Sequence, residues 1–157
     1  PGARAWPCLG LRPRPNSLPP GVQPADKATL FAQSDVVVLA CPLNEQTRGL
    51  VDAATLASMK SNALLINVSR GPVIDTPALL AALRAGRLGG AALDVHDKQP
   101  LTGSEPVFDA PNLLLTPHVA GITDSSMRAM SEGAITTVLA LLRGERPSNV
   151  VNPQVFR

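Results

Sequence analysis

Tyrosine is absent from these 157 residues, tryptophan occurs once and phenylalanine three times. Any core must therefore be aliphatic. Cysteine occurs only at Cys8 and Cys41, in no metal or redox spacing, and two such thiols fit a reducing cytoplasm better than a disulfide framework. Charged residues make up 17% of the chain, below the usual figure of roughly 25%. The basic ones are scattered, which argues against nucleic acid, a partner that prefers a clustered basic face with stacking aromatics. No apolar run nears the roughly 18 residues that span a bilayer, and no signal peptide is visible. The two histidines, His96 and His118, lack the partner spacing of a metal site. The expectation is one cytoplasmic domain with a sizeable core.

What is present is unevenly placed. Seven of the sixteen prolines fall within residues 1–24. Residues 3–6 read as a short strand, but the stretch 7–21 cannot donate a regular ladder of hydrogen bonds and reads as a loop or leader. Residues 25–33 suit a short helix, with Asp26 at its positive end. Residues 35–40 form a β-branched run, apolar on both faces, and are expected to be a strand covered by helices on either side. A helix is expected at 52–59 and a strand at 63–68. Thr76 reads as an N-cap and Pro77 as the first position of a helix over 78–85, which Gly86 ends. A strand at 89–95, a loop over 97–110 and a last strand at 112–116 follow. Thr123-Asp124 opens a long helix to about Leu142, with Met127, Met130, Ala134, Val138 and Leu141 at three- and four-residue steps. Gly144 stops it, and 146–157 is a polar tail. This alternation predicts an α/β fold, a doubly wound parallel sheet of Rossmann-like type.

Three stretches leave an apolar run and end in polar residues with a Gly or Pro: Asn67-Val68-Ser69-Arg70-Gly71, Leu93-Asp94-Val95 with Gln99-Pro100 beyond it, and Thr116-Pro117-His118-Val119-Ala120-Gly121. In an open parallel sheet all strands open their carboxyl ends on one edge, where ligands bind. Arg70, Asp94, Gln99 and His118 are thus expected at one cleft. Each has two readings. Arg70 either clamps a carboxylate and polarises a carbonyl or pairs with a nearby acid. His118 either moves a proton near neutral pH or satisfies loop backbone. Asp94 either takes part in binding or caps the next loop, and His96 is read as structural.

Taken together, the three stretches resemble the D-isomer-specific 2-hydroxyacid dehydrogenases, in order and spacing, over about residues 26–145. Cys41-Pro42-Leu43, Thr47-Arg48-Gly49-Leu50 and Met59-Lys60 also match that family. The resemblance implies reversible hydride transfer between NAD, or NADP, and the C2 carbon of a small 2-keto or 2-hydroxy acid. It implies that Arg70 holds the substrate carboxylate and polarises the carbonyl, that His118 donates the proton, and that Gln99 partners His118. It further implies that Asp94 accepts a hydrogen bond from the nicotinamide carboxamide. Cys41, Val68, Ser69, Arg70, His118, Ala120 and Gly121 would line the cofactor site, and the domain would form a homodimer to which the helix from Thr123 contributes. On this reading residues 1–24 are a leader with a remnant of the second strand, 25–143 are part of an NAD-binding domain, and 144–157 run toward a substrate domain.

The chain departs from that pattern in three ways. Gln99 stands where most members carry a glutamate, so an amide orients the histidine that a carboxylate would also charge; the formate dehydrogenase branch resembles this arrangement. No G-x-G-x-x-G occurs anywhere, so the usual pyrophosphate turn is missing. Cys8-Leu9-Gly10 stand where an acid would hold the adenine ribose; Arg12 and Arg14 nearby either accommodate a 2′-phosphate or, in a proline-rich leader, are simply solvated. In the doubly wound order the first strand is central, so its loss leaves the strand at 35–40 as an exposed apolar edge, to be covered by residues 3–6 or by another chain. A second reading keeps the fold without the chemistry, as a non-catalytic NAD-binding or dimerisation module.

Overall fold

The computed structural model describes residues 6–12 and 18–156. By its internal contacts the chain divides into two compact units, Pro1–His118 and Val119–Arg157.

The first unit carries a four-stranded parallel sheet in the order β3 (Val36–Leu39), β4 (Leu64–Asn67), β5 (Gly90–Leu93), β6 (Leu113–Leu115), together with a two-stranded parallel pair of β1 (Cys8–Gly10) and β2 (Val22–Pro24). Three helices connect these strands: α1 (Lys27–Gln33), α2 (Ala53–Ser58) and α3 (Thr76–Arg84). Each helix starts on an aspartate whose carboxylate accepts a backbone N–H three residues on. Asp26 takes Thr29 at 2.7 Å, Asp52 takes Thr55 at 2.8 Å and Asp75 takes Ala78 at 3.0 Å. The cap of α3 is therefore Asp75 and not Thr76. Its carboxylate supplies the oxygen, which leaves Pro77 in the second helical position, where no N–H is needed. Gly86, at φ 64°, takes the left-handed turn that ends α3.

The stretch expected to be a loop holds β1, paired in register Cys8 to Val22 and Gly10 to Pro24. A strand of three residues tolerates this proline-rich setting because Pro7 stands before it and Pro24 is the last position of its partner. Of the strand expected at 3–6, residues 3–5 lie outside the described residues, and Trp6 is exposed coil.

The core is aliphatic apart from Phe31. Val37 and Leu39, Leu65, Ala91 and Leu93 point from the sheet toward Phe31 of α1, Leu56 of α2 and Leu79, Ala82 and Leu83 of α3. The strand at 35–40 was expected to be covered by helices on both faces, and within the first unit only one face of the sheet is covered. Val38 is 56% and Leu114 is 64% exposed, and with Ile66 and Ala92 they share one row of the ladder. The reason is handedness. Right-handed crossovers that all step the same way from β3 to β5 put their helices on one face. A groove of about 510 Å³ lies on the other, bounded by Leu64, Ile66, Gly90, Ala92 and Leu114. Among the described residues β3 pairs only with β4, so it is the edge of its sheet.

The second unit is organised by α4 (Asp124–Leu142), which matches the expected bounds. Thr123 and Ser126 cap it reciprocally: Ser126 N–H donates to Thr123 Oγ1 at 3.1 Å and Thr123 N–H to Ser126 Oγ at 2.9 Å. No helix among the described residues is long and apolar enough to cross a membrane.

The two sheet faces differ enough to test. Truncating fully buried Leu65 to Ala should cost about 2–5 kcal/mol, whereas Val38→Thr on the open face should stay within about 0.5 kcal/mol. Urea midpoints of the two variants would measure this, and the reverse ranking would invert the assignment of faces.

Candidate active site

Parallel pairing sets the site before any side chain is considered. Leu39, Asn67, Leu93 and Leu115 occupy one row across the four strands. Beyond that row the ladder continues by one bond on each strand: Val68 N–H to Leu39 O (3.1 Å), Asp94 N–H to Asn67 O (3.0 Å) and Thr116 N–H to Leu93 O (3.0 Å). Counted from the row, Cys41 is two residues out, Asp94 one, and Arg70 and His118 three. With neighbouring strands about 4.8 Å apart, the Arg70 and His118 backbones leave the sheet on the order of 10 Å from each other.

The loops beyond the row are laced in sequence. Gly49 N–H donates to Pro72 O at 2.9 Å and Val51 N–H to Val73 O at 3.1 Å, joining the segment after β3 to that after β4. Gly71 lies so close to the next strand that a methyl group there would fall inside the His96 carbonyl and the Asp97 nitrogen. His96 Nε2 then reaches Thr116 O at 3.2 Å, and Gln99 Oε1 reaches His118 Nδ1 at 3.3 Å. Arg70, Asp94, Gln99 and His118 are thus gathered at one edge of the first unit. Ala120 and Gly121 belong to the second unit, where Gly121 O accepts from Ser126 Oγ at 2.6 Å.

Burial sorts these residues. Among the described residues the buried polar ones are Thr55, Asn67, Ser69 and Asp94, and the last three sit at this edge. Asn67, 1% exposed, shapes the turn that carries Arg70. Its Oδ1 accepts from Ser69 N (3.0 Å) and Ser69 Oγ (2.7 Å), and its Nδ2 donates to Arg70 O (3.0 Å). Asp94 Oδ1 accepts a short bond from Thr116 Oγ1. Arg70, Gln99 and His118 are exposed, with Arg70 Nη1 donating to Ser69 O at 2.6 Å. Cys41 is half-buried against the core, and Val68 is exposed. His118 has φ 61°, a left-handed conformation that costs a non-glycine residue of order 1–3 kcal/mol and persists only where its surroundings over-determine it.

In the Gln99 pair an amide oxygen accepts from Nδ1–H, so Nε2 is the nitrogen that the partner leaves for other chemistry. Residue patterns had not singled out Asn67, Thr116 or Gly71 as parts of the site. The available signal was an asparagine two residues before Ser69, since such a side chain folds back on its own following backbone.

A family model described as D-isomer specific 2-hydroxyacid dehydrogenase, NAD binding domain, matches residues 8–120. The chain belongs to this family. Glyoxylate reductase of Thermofilum pendens is 40% identical over 138 residues, which are 88% of this chain and 41% of that protein. Among solved structures, the D-isomer specific 2-hydroxyacid dehydrogenase of Lactobacillus delbrueckii ssp. bulgaricus in its NAD-complexed form superposes with a TM-score of 0.81. It is 32% identical and covers 92% of this chain and 48% of that one. The homologous enzyme of Xanthobacter autotrophicus Py2, in complex with NADPH and MES, gives a TM-score of 0.78 at 35% identity, covering 96% of this chain and 62% of that one. The chain spans about 41% of the length of the curated relatives it matches. The family's NAD-binding domain is thus the part represented, and its parallel α/β sheet is the one observed.

Two outcomes test the laced loops. Gly71→Ala should destabilise the chain by about 1–3 kcal/mol, because the atoms it meets are backbone and cannot rotate away; an unchanged urea midpoint would refute the close approach. Glu105 accepts from Thr102 N (2.9 Å) and Gly103 N (3.0 Å) and from Thr102 Oγ1 (2.8 Å) in the loop after Gln99. These bonds, the Thr102 backbone first, hold its carboxyl at about 2, down from 4.5. A lowered carboxyl contributes its stabilisation above its ordinary value and loses it as pH falls toward 2. Titrating the Thr102 and Gly103 amide shifts should give a midpoint near 2, absent in Glu105→Gln.

Proposed function

We propose that this chain is the cofactor-binding part of a 2-keto-acid reductase that exchanges hydride between NAD(P)H and the C2 carbon of a small 2-keto or 2-hydroxy acid. The observation that carries the reading is the Gln99–His118 pair, 3.3 Å apart, at the edge where Arg70 and Asp94 also emerge. Bound NAD(P)H supplies the hydride. Arg70, exposed and on a turn fixed by Asn67, offers guanidinium hydrogens to the substrate carboxylate and the carbonyl oxygen. His118 gives a proton from Nε2 to that oxygen as it becomes a hydroxyl, while Gln99 holds Nδ1 and so fixes the ring. Asp94 would accept a hydrogen bond from the carboxamide of the nicotinamide, and Cys41, Val68 and Ser69 would help to line the cofactor site.

The residues at this edge suit the nicotinamide end, since a buried carboxylate at a strand end, fixed by Thr116, is a ready acceptor. The sequence holds no G-x-G-x-x-G turn for the pyrophosphate. At the adenine end Gly10 closes β1, with Arg12 two residues on, so NAD is proposed with NADP as the other candidate. Relatives named glyoxylate and glyoxylate/hydroxypyruvate reductase support a short keto acid. A homodimer is proposed on the family resemblance and on the exposed Met130, Ile135 and Val138 of α4. A cytoplasmic setting is proposed on the free thiols of Cys8 and Cys41.

The test is oxidation of NADH or NADPH by glyoxylate, hydroxypyruvate and a longer keto acid. His118→Ala is expected to lower kcat by roughly 10²–10⁴-fold; turnover that survives it refutes the proton donor. Cofactor binding without turnover would favour a non-catalytic module. Gln99→Glu should carry reductase activity to higher pH than the native chain, because a carboxylate favours the charged ring that an amide only orients. Identical pH profiles would exclude this role for Gln99.

A further inference from the structure

Thr116 is held three ways by β5 and the segment that follows it, twice through its backbone and once through its side chain. Its N–H donates to Leu93 O at 3.0 Å, its Oγ1 donates to Asp94 Oδ1, and its carbonyl meets His96 Nε2 at 3.2 Å. A carbonyl oxygen only accepts, so Nε2 carries the hydrogen. The other ring nitrogen, Nδ1, is buried and has no hydrogen-bond partner among the described residues. A hydrogen there would be a buried donor with no acceptor among the described residues. The ring is therefore the Nε2–H tautomer. The backbone of His96 also forms the seat against which Gly71 packs, directly after Arg70.

We propose that His96 is a positioning residue for the site, a strut whose backbone seats the Arg70–Gly71 turn while its imidazole pins the carbonyl just ahead of His118. The proposal rests on reading Arg70 and His118 as partners in one reaction. The geometry explains how the effect travels. The Thr116 carbonyl defines the peptide plane that leads into Pro117, and the proline ring fixes the next φ. Little freedom remains before His118, whose left-handed φ of 61° needs such support. Removing the Nε2–H donor frees that plane to turn, and the turn is passed to the His118 ring and its bond with Gln99. Asp94 and Thr116 still fix the side-chain bond between the strands, so the loss is one of aim and not of fold.

The chain has only two histidines, so each imidazole spectrum can be assigned by substitution. In the unmodified chain, nitrogen-15 correlation spectra of His96 should show a protonated Nε2 and a bare Nδ1. His96→Phe keeps the ring's bulk and removes the donor. It should displace or broaden the His118 ring signals and, where the chain turns over, lower kcat roughly tenfold with KM within about twofold. His96→Gln, whose amide nitrogen reaches the place of Nε2, should restore the His118 signals. A ring protonated at Nδ1, or His118 signals unmoved by His96→Phe, overturns the proposal. If His96→Phe fails to fold, the tautomer in the unmodified chain and the His96→Gln spectrum decide in the same way. An inactive chain with the expected tautomer and the expected displacement supports the strut and counts against the hydride-transfer reading instead.

Discussion

The row of pairing that runs through Leu39, Asn67, Leu93 and Leu115 fixes where everything else falls. All four strands run the same way, so each side chain's distance past that row is set by counting residues. A slip of one residue in β4 would exchange its faces. Asn67 would leave the buried side, the turn that it organises would lose its three hydrogen bonds, and Arg70 would point elsewhere. The register is held by the core it creates: Val37, Leu65, Ala91 and Leu93 face the helices only in this alignment. The same burial that folds the sheet therefore aims the site.

Much of this was legible in the residues themselves. Asp26, Asp52 and the Thr123-Asp124 pair announce helix starts, because short oxygen-bearing side chains answer the orphan N–H groups there. Gly86 announces a stop because it alone tolerates the left-handed turn at no cost. The strand ends bearing Arg70, Asp94 and His118 were legible for a related reason: an apolar run that breaks into polar residues marks the open edge of a parallel sheet.

What was not legible depended on partners far along the chain. The strand at Cys8–Gly10 exists because Val22–Pro24 lies beside it, and a proline-rich composition hides a pairing so short. Whether a valine-rich strand is covered on one side or two depends on the direction in which its crossovers step, which no local pattern records. Asp75 displaced Thr76 as a cap because two competent residues stood side by side and only tertiary position could choose between them. The need for a glycine at 71 is the His96 backbone, twenty-five residues on, which no local pattern announces. His96 itself was read as structural, and its ring gains a further role only once Thr116 is seen beside it.

The left-handed backbone at His118 has a consequence for how this protein balances durability against chemistry. A residue held in an unfavourable conformation is a tensioned part, and on the proposed function this one is the proton donor. Its geometry is imposed from outside, by the clamp on Thr116 and the ring of Pro117, and it weighs against the folded state at every moment whether or not substrate is present. A glycine in that position would relieve the tension while abolishing the imidazole. If His118 gives the proton as proposed, thermal robustness and turnover pull on the same residue in opposite directions.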